Sequence, residues 1–276
     1  MNSFKKAITL GIAAVMSAGM LAGCGASKAP AEKADTKATE AAAAADGAAL
    51  IMGTNAAFEP FEYTTTKGLV GEFDGIDVAI AQKIAEKAGK KLEISDMEFD
   101  GLIAAVSNGK VDMAVAGMTV TEERKQNVDF SDTYYTASQV ILVNTEDNSI
   151  TCGEDLKNGK KVGVVLSYTG DSIVTDTLKI DEANIQRANR ALDICQDVKN
   201  GKLDAVVVDS YTGKALAEKN GLKVVEDPKV FETEEYAIAV KKGNKELLDV
   251  INATLKEMKE KGEIEALAQK YNNIEK

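Results

Sequence analysis

Residues 108–118 read N-G-K-V-D-M-A-V-A-G-M, and residues 200–210 read N-G-K-L-D-A-V-V-V-D-S. Each phrase follows an amphipathic stretch, D-G-L-I-A-A-V-S (100–107) in the first case and A-L-D-I-C-Q-D-V-K (191–199) in the second. Asn-Gly ends a helix well, because Gly accepts the left-handed backbone that helix termini need. The runs that come next, V-D-M-A-V-A (111–116) and L-D-A-V-V-V (203–208), are short and apolar, as buried strands are. The repeated phrase is therefore a unit of helix, Gly stop and buried strand. Its copies begin at 108 and 200, a separation of 92 residues, too long for a solenoid period and suited to two similar lobes with a sheet each. Their endings differ: Gly117 lies just past the first strand and Asp209 just past the second. Ligands of open α/β sheets gather at the carboxyl ends of strands, so these positions are expected to face one cleft.

The flanking sequence alternates in the same manner, as an α/β chain does. A-A-L-I-M-G-T (48–54) and K-L-E-I (91–94) read as strands, and residues 75–89 as a helix stopped by Gly89. In the second half K-V-G-V-V (161–165) is a strand and residues 169–178 a helix; E-Y-A-I-A-V (235–240) is a further strand, followed by a long helix pair.

A chain of 276 residues, 45% hydrophobic, has room for about two domains, each with its own core. A formal charge of −11 argues against nucleic acid or an anionic membrane surface as partner. With no His, the chain has no His-based triad or acid–base chemistry and lacks the commonest metal ligand. No cofactor or metal is expected, although carboxylate or Lys catalysis stays open.

At the N-terminus, Lys5 and Lys6 precede an apolar run of sixteen residues (7–22), shorter than the roughly 20 a spanning helix needs. Basic, then apolar, then small is the order of a secretory signal. The run ends in Leu21-Ala22-Gly23-Cys24, which resembles the bacterial lipobox. That resemblance implies cleavage after residue 23 and a diacylglycerol on the Cys24 sulfur; an ordinary signal peptide with an incidental Cys is the other reading. Residues 24–47 are Ala-rich, mixed in charge and almost free of large apolar side chains, the composition of a solvated tether. Cys152 and Cys195 remain, and are either one disulfide or two free thiols.

A-G-M-T-V-T-E-E-R-K (116–125) followed by V-D-F-S-D-T-Y-Y (128–135) resembles the polar amino-acid family of bacterial extracellular solute-binding proteins. The likeness extends over about 48–273, through N-A-A-F-E-P-F-E (55–62), G-I-D-V-A-I-A (75–81), E-F-D-G-L-I-A-A-V (98–106), N-G-K-L-D-A-V-V-V-D (200–209) and the ending K-G-E-I-E-A-L-A-Q-K-Y. It implies a two-lobed, periplasmic-binding-protein-like (type II) fold with a two-segment hinge. Lobe 1 would be 48–135 with 237–276, and lobe 2 the inserted 136–236. It further implies a monomeric binding protein, not an enzyme, that takes a free amino acid to the membrane subunits of an ABC importer. The protein would be exported, anchored through Cys24 to the outer face of the cell membrane or held as a periplasmic lipoprotein.

The residues carry part of this themselves. Thr121 is a good N-cap, and Glu122 and Glu123 suit the positive end of a helix. Arg124 opposes that dipole, which is reasonable where an anion joins it; guanidinium pairs bidentately with carboxylate. Either Arg124 meets a ligand α-carboxylate, as the resemblance implies, or it pairs with Glu122, Glu123 or Asp129 at the surface. Gly117, Met118 and Thr119 would add backbone groups and a hydroxyl beside it, and Thr169 and Gly170 amides from the facing lobe. Asp209, after a run of Ala and Val, would meet the α-ammonium, or cap the helix starting near Tyr211.

By resemblance, Phe58 and Phe99 wall the ligand side chain, with Phe61 and Phe73 left as core. Asn55, Leu166 and Val208 align with positions where charged or polar groups are frequent in the family, and Tyr168 with one where Gly is frequent. These uncharged residues leave nothing to offset desolvation of a cationic side chain, so a neutral amino acid is expected. Glu59 is expected to face solvent. The alternatives are a sensor lipoprotein without transport and a dehydratase on the same scaffold.

Overall fold

The computed structural model describes residues 49–272. The expected signal sequence (1–23), the expected tether (24–47) and Cys24 lie outside the described residues. From its start the chain forms β1 (Leu50–Thr54), β2 (Ala57–Phe58), β3 (Glu62–Thr64), β4 (Phe73–Asp74), α1 (Ile76–Lys87), β5 (Leu92–Asp96), α2 (Leu102–Ser107) and β6 (Met113–Ala114). Next are α3 (Glu122–Lys125), β7 (Val128–Phe130), β8 (Tyr135–Ala137), β9 (Gln139–Asn144), β10 (Val162–Val165), α4 (Thr169–Ser172), β11 (Ile185–Ala188) and α5 (Ala191–Lys199). The remainder is β12 (Ala205–Asp209), α6 (Ser210–Asn220), β13 (Leu222–Val225), β14 (Glu234–Tyr236), β15 (Ala239–Lys241), α7 (Lys245–Glu260) and α8 (Glu263–Asn272).

Two five-stranded mixed sheets result, β5-β1-β6-β15-β7 and β11-β10-β12-β9-β13. β1 is parallel to β5 and β6, while β15 runs antiparallel between β6 and β7. The first sheet thus draws on both ends of the described chain, and the second on its middle. Between the sheets, β8 and β14 pair antiparallel, Tyr135 opposite Tyr236 and Ala137 opposite Glu234. This is the α/β, two-lobed architecture of the type II class.

The repeated phrase performs the same local work twice. Gly109 and Gly201 both end their helices at φ +70, a conformation open to Gly at no steric cost. Lys110 N and Lys202 N then bond back to Ala105 and Asp197 carbonyls, each at 2.9 Å. Asp112 Oδ2 accepts the Ile51 amide at 2.7 Å, and Asp204 Oδ2 accepts the Lys161 amide at 2.7 Å. In each lobe the shared Asp therefore fixes the register of the neighbouring strand.

Three segments differ from the sequence reading. The strand expected at 111–116 pairs regularly only at Met113–Ala114, because the chain turns at Gly117, whose φ is +51. The helix expected at 169–178 is one α turn, α4, passing into a π-helical turn at Ile173–Thr177. The strand expected at 235–240 divides into β14 and β15, since the chain leaves the two-stranded ladder there and enters the first sheet. Cys152 and Cys195 are free thiols. Cys195 lies on the buried face of α5, and burial pushes its thiol up to about 12. Phe61 is core, whereas Phe73 is only half-buried.

Candidate functional site

Arg124 sits in α3, where the Thr121 hydroxyl accepts its amide at 3.2 Å. Its guanidinium does not pair with Glu122, which is taken by Lys125 at 2.8 Å. Instead Nη1 donates to the Thr119 carbonyl at 2.7 Å and Nη2 to the Ser167 carbonyl at 2.9 Å, so the fork reaches from the first-sheet lobe to the second. The guanidinium lies 5.2 Å from the Phe99 ring centre, within cation–π range. Burial draws its pKa down, opposed by the charges of Asp209, Glu234 and Glu123.

Thr119 and Thr169 come together from opposite lobes on a group the sequence did not single out. Glu234 Oε2 accepts the Thr119 hydroxyl at 2.7 Å and the Thr169 hydroxyl at 2.8 Å. Gln139 Nε2 donates to Thr169 Oγ1 at 3.0 Å, which leaves the threonine proton for Glu234.

Tyr168 lies with its ring centre 5.6 Å from Phe58, edge-on, and 4.5 Å from Phe99. Its hydroxyl approaches Asn55 Oδ1 at 3.4 Å, while Asn55 Nδ2 donates to the Met97 carbonyl at 2.9 Å. Phe58 is backed by Phe61 at 5.6 Å, and Phe61 meets Tyr135, Tyr211 and Tyr236 edge-on. Aromatic residues from both lobes and from both crossing strands thus form one cluster. Glu59 does not simply face solvent: it pairs with Lys219 of α6.

Asp209, 3% exposed, takes the N-cap position of α6 without a side-chain capping bond. Its carboxylate accepts the Tyr236 hydroxyl at 2.5 Å. Burial first, and then Glu234, push its pKa from the ordinary 3.8 up to about 7. Asp77 Oδ2 accepts both the Gly117 amide at 2.7 Å and the Tyr134 hydroxyl at 2.8 Å. Of the backbone groups expected from Gly117, the amide is thus committed to Asp77. Beside Asp77 lies Glu62, fully buried and held well above the ordinary carboxyl range by desolvation and by Asp77. Among the described residues no other donor reaches either Glu62 oxygen, so a protonated Glu62 donating to Asp77 satisfies the pair.

Four further expected site residues are placed elsewhere or partly so. Met118 is fully buried, its carbonyl bonded to the Ala237 amide at 3.1 Å. Val208 is buried against α6, where a Cβ on Gly213 would stand 2.9 Å from its Cγ1. Gly170 is tight against Gln139 Oε1 and the Val207 carbonyl, each 3.0 Å from an added Cβ. Leu166 is half-buried at the end of β10, its amide on the Ala188 carbonyl at 3.0 Å. A cleft of about 1160 Å³ is lined from both lobes by Phe99, Thr119, Arg124, Ser167, Thr169 and Glu234. Glu234, Tyr236 and Gln139 were missed in the sequence because nothing local marks them; the first two act where β14 meets both lobes, and Gln139 by reaching Thr169, 30 residues on.

Residues 50–274 match the family described as bacterial extracellular solute-binding proteins, family 3. A probable histidine-binding protein of Neisseria gonorrhoeae is 36% identical over 234 residues, 84% of this chain and 85% of that one. The arginine-binding extracellular protein ArtP of Bacillus subtilis (strain 168) is 38% identical over 231 residues, 82% and 87% of the two chains. Among solved structures, an ancestral arginine-binding protein bound to glutamine superposes with a TM-score of 0.73 at 41% identity, covering 81% of this chain and 97% of that one. The chain belongs to family 3 of the bacterial extracellular solute-binding proteins.

Proposed function

We propose that the protein captures a free amino acid between its lobes outside the cytoplasmic membrane and delivers it to the membrane subunits of an ABC importer. The observation that carries this is the approach of opposite charges from opposite lobes: Arg124 reaches Ser167 across the cleft, within electrostatic range of the buried Asp209. An α-amino acid presents a carboxylate and an ammonium on neighbouring atoms. The Arg124 fork and the Thr119 and Thr169 hydroxyls orient the carboxylate, and Asp209 takes the ammonium. Phe58, Phe99 and Tyr168 meet the side chain, with Asn55 and Leu166 adding no charge. A ligand held by both lobes stabilises the closed form by the contacts it makes only there. The bend falls at 134–138 and 234–238, between lobe 1 (48–135 with 237–276) and lobe 2 (136–236).

The side chain it favours is neutral, since a cationic one entering beside Arg124 is repelled and finds uncharged Asn55 and Leu166. The protein is not an enzyme, and it works as a monomer tethered by lipid on Cys24. Calorimetric titration of the purified protein with the twenty amino acids and cystine tests this. A neutral amino acid or cystine should bind with micromolar or tighter affinity. Arginine tighter than every neutral amino acid refutes the side-chain assignment, and no binding at all refutes the amino-acid reading.

A further inference from the structure

Glu234 and Tyr236 are two apart on β14 and lie on the same face of the strand, because side chains alternate. Glu234 offers a carboxylate oxygen to the Thr119 and Thr169 hydroxyls. Tyr236 offers a hydroxyl donor to the Asp209 carboxylate. One short segment therefore gives the cleft an anion where the α-carboxylate goes and a donor where the α-ammonium goes. We propose that β14 acts as an internal surrogate ligand, with Glu234 an autoinhibitory occupant of the carboxylate subsite that an incoming amino acid must displace. This rests on the amino-acid reading of the same cleft.

The exclusion is chemical. Each threonine hydroxyl has one proton, and the Gln139 amide, which donates to Thr169 Oγ1, directs that proton outward. Two carboxylates cannot share these protons, and they repel each other at this range. Glu234 also joins the lobes, since Thr119 lies beside α3 and Thr169 opens α4. The cross-lobe contacts of Arg124 with Ser167 and of Lys219 with Glu59 belong to the same closed arrangement. Ligand entry exchanges one set of bridging bonds for another, so the net gain on binding is smaller than the ligand's own contacts suggest.

The test compares wild type with Glu234→Ala and Glu234→Gln, titrating the best amino acid from the screen and its α-carboxamide. Glu234→Ala should bind the amino acid about tenfold tighter, the scale of one charge-assisted hydrogen bond no longer competed for. It should show no comparable gain for the carboxamide, which lacks the competing charge. Glu234→Gln should show a smaller gain of the same sign, and it serves if the Ala variant does not fold. In small-angle scattering the ligand-free Glu234→Ala protein should be more expanded than wild type. Equal or weaker binding by the variants, or an equal gain for the carboxamide, overturns the role of Glu234. Absence of binding by all three proteins overturns the amino-acid reading itself.

Discussion

Replacing Gly117 by Ala should destabilise the protein far more than the same change at Gly89. Gly117 has φ +51, and a Cβ there would stand 2.5 Å from Phe58 Cε1 and 2.9 Å from Cδ1. Those atoms cannot simply yield, because Phe58 is 2% exposed and backed by Phe61 and Tyr168, each 5.6 Å away between ring centres. Left-handed backbone costs a non-Gly residue about 1–2 kcal/mol. Forcing a buried ring aside adds about 1–3 kcal/mol. Together they give roughly 2–5 kcal/mol, a large share of the 5–15 kcal/mol typical of a domain.

Gly89 separates the two contributions. Its φ is +66, and nothing lies within 4 Å of an added Cβ, so Gly89→Ala carries only the backbone cost. Urea unfolding of wild type and both variants gives the stabilities, with an unchanged m-value confirming that the comparison is two-state. Gly117→Ala should exceed Gly89→Ala by about 1–3 kcal/mol, the ring-displacement share alone. Equal losses at the two sites would falsify the claim that the backbone at Gly117 is pressed against Phe58.

Arg124→Lys should weaken amino-acid binding by about tenfold or more in calorimetry, since a point charge cannot reproduce a fork that bonds Thr119 and Ser167 at once; unchanged affinity refutes its place in the site. Asp112→Ala and Asp204→Ala should each cost about 1–2 kcal/mol in urea unfolding, yet leave ligand affinity within about twofold, because each holds only a strand amide. A large affinity change in either would make the repeated phrase functional rather than scaffold. Burial holds Asp77 up to about 6 and Asp209 up to about 7, above the ordinary 3.8, so the folded chain keeps protons that the unfolded chain releases. Their stabilisation is full below about pH 4 and is lost as pH rises through about 7; Asp209→Asn should flatten that fall in ligand-free unfolding curves, and an unaltered slope refutes it.

What could be read from residue order was whatever depends on neighbours in the chain. The helix, Gly stop and strand units at 100–116 and 191–208 follow from periodicity and from glycine's backbone freedom, and Gly109 and Gly201 carry them out alike. Thr121 was legible as a cap, and its hydroxyl does accept the Arg124 amide. The destination of the Arg124 guanidinium was not, because Ser167 is 43 residues away and reaches it only when the lobes meet. Val208 was assigned to the ligand side chain by resemblance alone; strand alternation sends it to the opposite face from Asp209, where it meets Gly213 of α6. Glu234 carried no local mark, being one of two adjacent acids in E-E-Y; only the pairing of β14 with β8 decides which of them points inward.

That pairing also explains why bending and recognition need not be separate devices in this fold. Glu234 lies opposite Ala137 and Tyr236 opposite Tyr135, while Glu235 and Thr136, opposite each other between them, are exposed. The two-stranded ladder is a slight link between two five-stranded sheets, held beyond β8 by an isolated antiparallel bridge of Thr119 to Tyr236, in which the Val120 amide donates to the Glu235 carbonyl at 2.9 Å. The inward residues of this link hold the groups that would receive the two ends of an amino acid. The bridge keeps β14 beside Thr119, so rotation of the second lobe about β8 and β14 changes chiefly the distance from Glu234 to Thr169. Displacing Glu234 and shifting the lobes are then one coupled event, and the free energy of the first is a direct contribution to the second.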